Sequence, residues 1–291
     1  MVLSFLLAGW MIFNALGMFA GSVANDKKLQ SYFTNEHSSR LYEITQRSVC
    51  ASEQKLFNEA LKQAQTGQSE APANPLFNYL EAITAWKSGN MASALKAIDA
   101  GNAKGVLVFY APENIPPDRW QWPEVRLISG LGIAVVNENP DSKHALITSL
   151  IMGHKLVWSD PPDIARILHG IHLRKTAAEK LLLIVKKEND PVPVKLCREL
   201  IDETTQLENA VHTGNISDTG KGIVVDSVRV LMASEYNKRD PRMKDTAMLM
   251  MRVKQTQIAG NLRKKYLHTK SLGVLEVFRE LVPETNRTYR E

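Results

Sequence analysis

Cysteine is scarce and the chain opens without a basic residue. Only Cys50 and Cys197 occur in 291 residues, too few for a disulfide-stapled scaffold or a cysteine-rich zinc module. No Asp, Glu, Lys or Arg precedes Asp26, so the basic start of a usual secretory leader is reduced to the α-amino group. Charge is not one-sided: 36 Lys and Arg against 31 Asp and Glu give +5, too mild for a nucleic-acid signature by itself. Chemistry-bearing motifs are missing as well. Gly220-Lys221 is followed by Gly222, where a phosphate-binding loop needs Ser or Thr. A nucleophile elbow, a dinucleotide fingerprint and a telling carboxylate pair are likewise absent. No cofactor is implied. A hydrophobic fraction of 44% with 23% charged residues excludes a disordered tail protein, a collagen-like chain and a multi-span transporter.

What is present begins with an uncharged apolar leader. Residues 2–24 read VLSFLLAGWMIFNALGMFAGSVA, long enough to cross a bilayer, which takes about 20 apolar residues. Ser22 and Ala24 are small residues at −3 and −1 for a cut before Asn25, as in a signal peptide. Lys27 and Lys28 follow the run and favour a cytoplasmic downstream side. Residues 1–24 are therefore read as a signal peptide or an uncleaved anchor. The chain is expected to be periplasmic or secreted, or held at a membrane. In an exported chain Cys50 and Cys197 could pair, although two free buried thiols are the favoured reading.

Proline marks the rest. Asn74-Pro75, Asn139-Pro140, Asp160-Pro161, Asp190-Pro191 and Asp240-Pro241 each put a short polar side chain before proline. Asn and Asp accept hydrogen bonds from the first free amides of a helix, and proline suits its first position. Apolar residues at helical period follow four of the five. After Asp160 they are Ile164, Leu168, Ile171, Ala178, Leu182 and Val185. The pattern predicts an all-α fold: stacked helical hairpins over 26–109, then a helical bundle over 124–283, then a flexible tail at 284–291. Residues 128–136 and 222–232 are apolar or β-branched enough for strands. Both are read as buried helices, because no partner strand or hairpin turn is visible. Residues 110–123, YAPENIPPDRWQWP, hold too many prolines for regular structure and form a loop pinned by its tryptophans.

Residues 74–101 read NPLFNYLEAITAWKSGNMASALKAIDAG. Leu76, Leu80, Ile83 and Trp86 share one helix face, Gly89-Asn90 makes a left-handed turn, and Ala94, Leu95 and Ile98 face back. Residues 38–66 make a plausible preceding hairpin, with Leu41, Ile44, Leu56, Ala60 and Ala64 as apolar positions. The small Ala82, the Gly89-Asn90 turn, Ala94 and Ile98 occur in the order found in a tetratricopeptide repeat, which residues 74–101 resemble. The likeness departs at Ala85, where an aromatic is usual, and the closing proline is absent. It covers about 30 residues, one repeat where stable arrays take about three. The resemblance implies a scaffold that binds another protein. Tyr79 and Trp86 in this hairpin, and Trp120 and Trp122 of the 110–123 loop read separately as an aromatic binding loop, are the candidate contacts.

Two further clusters suggest other functions. His169 and His172 can share one side of a helix, with Glu179 two turns on, but a tetrahedral metal needs three or four ligands. A solvated histidine pair is the favoured reading over a metal-dependent enzyme. Methionines at 243, 248, 250 and 251 are read as core filler rather than a copper site. Residues 237–270 hold ten basic side chains and two acids. Arg263, Lys264 and Lys265 could meet an anionic lipid or another polyanion, although a solvated face is favoured and nucleic acid is not expected. The leading expectation is a non-enzymatic helical scaffold.

Overall fold

The computed structural model describes residues 38–111, 122–188, 191–212, 256 and 259–266. Among these residues every regular element is a helix, and the one β-type pairing is an isolated parallel bridge between Val108 and Asp160. The fold is all-α, as the periodicity predicts. Among the described residues no helix is long and apolar enough to cross a membrane. The leader at 1–24, the methionine cluster, Asp240-Pro241, residues 222–232 and the tail at 284–291 lie outside the described residues.

The chain enters through two antiparallel hairpins. Helix α1 (Ser38–Glu53) and helix α2 (Phe57–Glu70) form the first. Ala60 and Ala64 are fully buried and let α2 approach closely, so that Ser48 Oγ donates to the Ala60 carbonyl at 3.1 Å. Leu41 and Ile44 enter the core as expected. Leu56 does not: it is 55% exposed. It sits in the turn before α2, where its amide donates to the Ala51 carbonyl and its carbonyl accepts from Ala60. The backbone is committed there while the side chain faces out.

Helix α3 (Leu76–Lys87) and helix α4 (Met91–Asn102) form the second hairpin. Gly89 takes φ +85° in the turn, a conformation that glycine enters without a Cβ penalty. Asn90 Oδ1 then accepts from Ser93 N at 3.0 Å and caps α4. Leu76, Leu80, Ile83, Ala94 and Ile98 are all buried, the large aliphatics each contributing about 1.5–3 kcal/mol. Helix α2 packs on α3, which layers the second hairpin on the first.

The bundle follows. Helix α5 (Pro123–Glu138) contains residues 128–136, which are helical and buried along one side. Helix α6 (Lys143–Val157), helix α7 (Ile164–Lys187) and helix α8 (Pro191–His212) complete it. A contiguous core runs from Leu41 through Ile128 and Leu146 to Leu200, so hairpins and bundle share one interior. A smaller cluster of Val157, Ile167, Ile171, Leu207 and Leu262 seats the helical segment 259–266.

The Asx-Pro signals work unevenly. Asn74 Oδ1 accepts from Leu76 N at the start of α3, and Pro191 opens α8. Asn139 instead ends α5, and Ser142 caps α6 by accepting from Ala145 N. Asp160 pairs in the bridge, and Asp163 caps α7 by accepting from Arg166 N. Proline at 140 and 161 sits before the cap rather than after it, so it marks the turn and not the first helical residue.

The buried stripe of α7 also differs from the expected one. It keeps Ile171, Ala178 and Val185 of the expected positions and adds Ile167, Gly170, Arg174, Ala177 and Leu181, while Ile164, Leu168 and Leu182 are only half-buried. Gly170 faces Gly153 of α6. A Cβ at Gly153 would lie 2.9 Å from the Gly170 carbonyl oxygen, so glycine is what lets the backbones meet.

Candidate functional site

Residues after α4 run extended beneath the start of α7. Asp160 N donates to the Leu107 carbonyl and Phe109 N to the Asp160 carbonyl, both at 2.8 Å. Asn74 holds the other edge of this segment. Its Nδ2 donates to the Val108 carbonyl and to Tyr110 Oη, and its Oδ1 accepts from Val108 N and Leu76 N. All four hydrogen-bonding positions of this buried amide are used. The loop expected over 110–123 is thus anchored at its entry.

Charge is buried at the exit of that loop. The Arg166 guanidinium lies 4.1 Å from the Phe109 ring centroid and 4.7 Å from that of Trp122, and its Nη1 donates to the Pro161 carbonyl at 2.7 Å. Trp122 donates its indole N–H to the Tyr110 carbonyl at 3.0 Å. Glu124, in the first turn of α5, is 1% exposed and accepts from Gln46 Nε2 of α1 at 3.5 Å. Burial pushes its carboxyl up to about 7, against its own backbone amide, Arg166 and Gln46, which pull it down. The cluster joins α1, α5 and α7 through polar groups that sequence periodicity assigns to the surface.

An open cleft of about 800 Å³ adjoins this junction. Val106, Val108 and Pro162 give it an apolar side, with Trp158, Ser159 and Asp160 beside them. Asn261, Arg263 and Lys264 of the 259–266 segment face them. Arg263 Nη1 donates to the carbonyls of Val157 and Ser159 at 3.1 and 3.0 Å. The Val157 carbonyl closes α6, where a cation also suits the helix dipole, and Ser159 lies just beyond its C-cap. Burial lowers the Arg263 pKa, and Asp160 opposes that shift.

Tyr79 is fully buried and donates to Asn102 Oδ1 at 2.8 Å, so it is a core residue and not a partner contact. It fills the space that Gly101 leaves open on α4. Trp86 and Trp122 are half-buried against the core, and Trp120 lies outside the described residues. Arg263 is 6% exposed and spent on α6, so it cannot serve as a free polyanion contact, whereas Lys264 and Lys265 are exposed. His172 and Glu179 are exposed and His169 is half-buried. Burial, His172 and Arg126 all lower the His169 pKa. Among the described residues no group of three His, Cys, Asp or Glu side chains is placed to hold a metal ion. Cys50 and Cys197 are free thiols; Cys50 is exposed rather than buried as expected, and Cys197 is buried in α8.

That difference predicts a labelling pattern. Burial pushes the Cys197 thiol up to about 12, which keeps it protonated and unreactive. A native chain treated with maleimide at pH 7 should gain one label, at Cys50, and a second only in denaturant. Two rapid native labels, or none, would contradict this.

Sequence reasoning missed the cleft and the buried junction. Their parts come from around residues 74, 106–111, 122–124, 158–166 and 256–264, with no local spacing to connect them. No family model, curated protein or solved structure matches the chain.

Proposed function

We propose that this protein is a non-enzymatic helical scaffold, exported or held at a membrane by its apolar leader, that binds another protein. The observation supporting this best is the layering of the α3–α4 hairpin on the α1–α2 hairpin, the arrangement that extended helical scaffolds use to present a binding surface. In this reading residues 74–101 act as a tetratricopeptide-like unit. Its Gly89 turn, buried small residues and facing aliphatics support the likeness.

The test has two arms. A photo-crosslinking residue is placed in turn at the exposed Leu56, Val106 and Leu183, in cells of the source organism. A discrete protein adduct from one position is expected, and no adduct from any of the three would overturn the scaffold reading. Intact mass with membrane fractionation tests the leader. A chain starting at Asn25 outside the cytoplasm, or a full-length chain in the membrane fraction, is expected. A full-length soluble cytoplasmic chain would remove the export reading.

A further inference from the structure

The helical segment 259–266 sits in a groove of its own. Val157 at the end of α6, Ile167 and Ile171 of α7 and Leu207 of α8 form the floor, and this cluster is separate from the main core. Ala259, Leu262, Arg263 and Tyr266 stand at i, i+3, i+4 and i+7 and so share one face of the segment. Ala259 and Leu262 are buried against the floor, and Tyr266 packs at its edge. Arg263 donates to the carbonyls of Val157 and Ser159, and its guanidinium lies 5.5 Å from the Trp158 ring centroid. Asn261, Lys264 and Lys265 are exposed. The seated segment shows what the groove accepts: an amphipathic helix that presents apolar side chains and one arginine, the helix-in-groove mode of recognition.

The segment fills this groove incompletely. Leu262 is the only aliphatic larger than alanine between 259 and 266. Gly260 lines the open cleft of about 800 Å³ with Val106 and Val108, and nothing lies within 4 Å of a Cβ built there. Gly153 and Gly170 differ, because a Cβ at either would meet backbone within 3 Å. Packing therefore does not require glycine at 260, while glycine weakens the helix that carries it. We propose that this groove is the binding site for an amphipathic helix of a partner protein, and that residues 259–266 occupy it as an internal competitor. The partner helix carries a large aliphatic at the position of Gly260, which fills the cleft beside Val106 and Val108. It keeps an aliphatic and an arginine at the positions of Leu262 and Arg263. Tethering gives the internal segment a high local concentration, so it holds the groove until a better-fitting helix arrives. This inference rests on the scaffold reading and names its surface and partner class.

The test uses the full chain and four fluorescein-labelled peptides of residues 256–269: the native sequence, Gly260→Ala, Gly260→Leu and Leu262→Asp. One host is the native chain. The other carries Leu262→Asp and Arg263→Ala, which release its own segment, and a far-ultraviolet spectrum checks that it folds. The released host should bind the Gly260→Leu peptide best, with the native peptide about tenfold weaker and the Leu262→Asp peptide not bound. The Gly260→Ala peptide should fall between, because it gains helix propensity without filling the cleft. The native host should bind the Gly260→Leu peptide at least about tenfold more weakly than the released host, because the tethered segment competes. Equal affinity for the alanine and leucine peptides would overturn the proposal, as would equal binding by the two hosts. Amide hydrogen exchange on the native chain needs no variant. The amides of 259–266 should exchange at least about tenfold faster than those of α6 and α7. Equal protection would make the segment a fixed part of the fold and overturn the proposal. A native dimer that Leu262→Asp dissociates would make the occupant a second copy of this chain, which also overturns it. If crosslinking at Leu56 or Leu183 captures a partner while no peptide binds, the scaffold reading stands and the groove assignment falls.

Discussion

Replacing Gly170 with valine should cost at least about 3 kcal/mol, read as a fall in the urea midpoint of the native chain. A Cβ at this position would lie 2.6 Å from the Gly153 carbonyl oxygen and 2.8 Å from the Val157 amide nitrogen. Both are backbone atoms of α6, so no rotamer change relieves the clash and the helices must separate. Separation disturbs more than one contact. The Arg174 side chain passes over Gly153, where an added Cβ would meet its Cγ at 3.0 Å. Arg174 is fully buried, and its Nη2 lies 3.7 Å from Glu203 Oε2 of α8. Moving α7 away from α6 therefore also shifts a buried charge from its counter-charge, which is costly when the partner is lost. Gly130 is the control. Nothing lies within 4 Å of a Cβ built there, and it sits inside α5. Gly130→Ala should leave stability unchanged or raise it by up to about 1 kcal/mol. A Gly170→Val midpoint within error of the Gly130→Ala midpoint would refute the close crossing.

The same crossing shows what a sequence can and cannot disclose. The α3–α4 hairpin was legible because its determinants are local: aliphatics at helical period, a Gly-Asn turn and small residues opposite one another. The turn glycine does adopt φ +85°, and Asn90 does cap the second helix. The caps of α6 and α7 were displaced by three residues for an equally local reason. Ser142 and Asp163 lie closer to the helix than the Asx-Pro pair does, and a side chain two or three residues before the first free amides is the one that reaches them. Arg166 and Arg174 were not legible. Arginine on a helix is read as surface, and only the tertiary environment reveals two of them within the buried stripe of α7. Arg166 is accommodated by two aromatic rings and the Pro161 carbonyl. For the same reason the sequence offers Arg263 only as a solvated side chain or a polyanion contact. It is instead tied to the end of α6, more than 100 residues away in sequence. Local spacing carries no signal about either partner.

The buried junction leads to the second large effect, and its sign follows from protonation. Glu124 should make the folded chain lose stability as pH rises from about 4.5 to 7, and Glu124→Gln should abolish most of that loss. Its carboxyl is pushed from 4.5 up to about 7, chiefly by burial. Folding therefore favours the protonated acid. Below 4.5 the group is neutral whether the chain is folded or unfolded, and it contributes no penalty. Above 7 it is ionised in both states, and the fold bears the full cost of burying the charge. The difference of roughly 2.5 pKa units corresponds to about 3 kcal/mol as an order of magnitude. Among the described residues, Gln46 from α1, its own amide in α5 and Arg166 from α7 pull the other way. Gln46 can hydrogen-bond glutamine as readily as glutamate, so the substitution keeps the shape and removes the titration. The two proteins should be similarly stable at pH 5, and the variant should be more stable by up to about 3 kcal/mol at pH 8. Two histidines add smaller slopes that the variant retains. The bond to Asp99 raises the His144 pKa, so its contribution is present below 6.5 and fades as pH rises through the folded value. His169, lowered mainly by burial, works in the opposite sense below 6.5. Subtracting the variant's curve from that of the parent removes both and isolates Glu124. Parallel curves between pH 5 and 8 would mean that the Glu124 carboxylate is ionised throughout, and the reading of this junction as a buried, protonatable contact would fail.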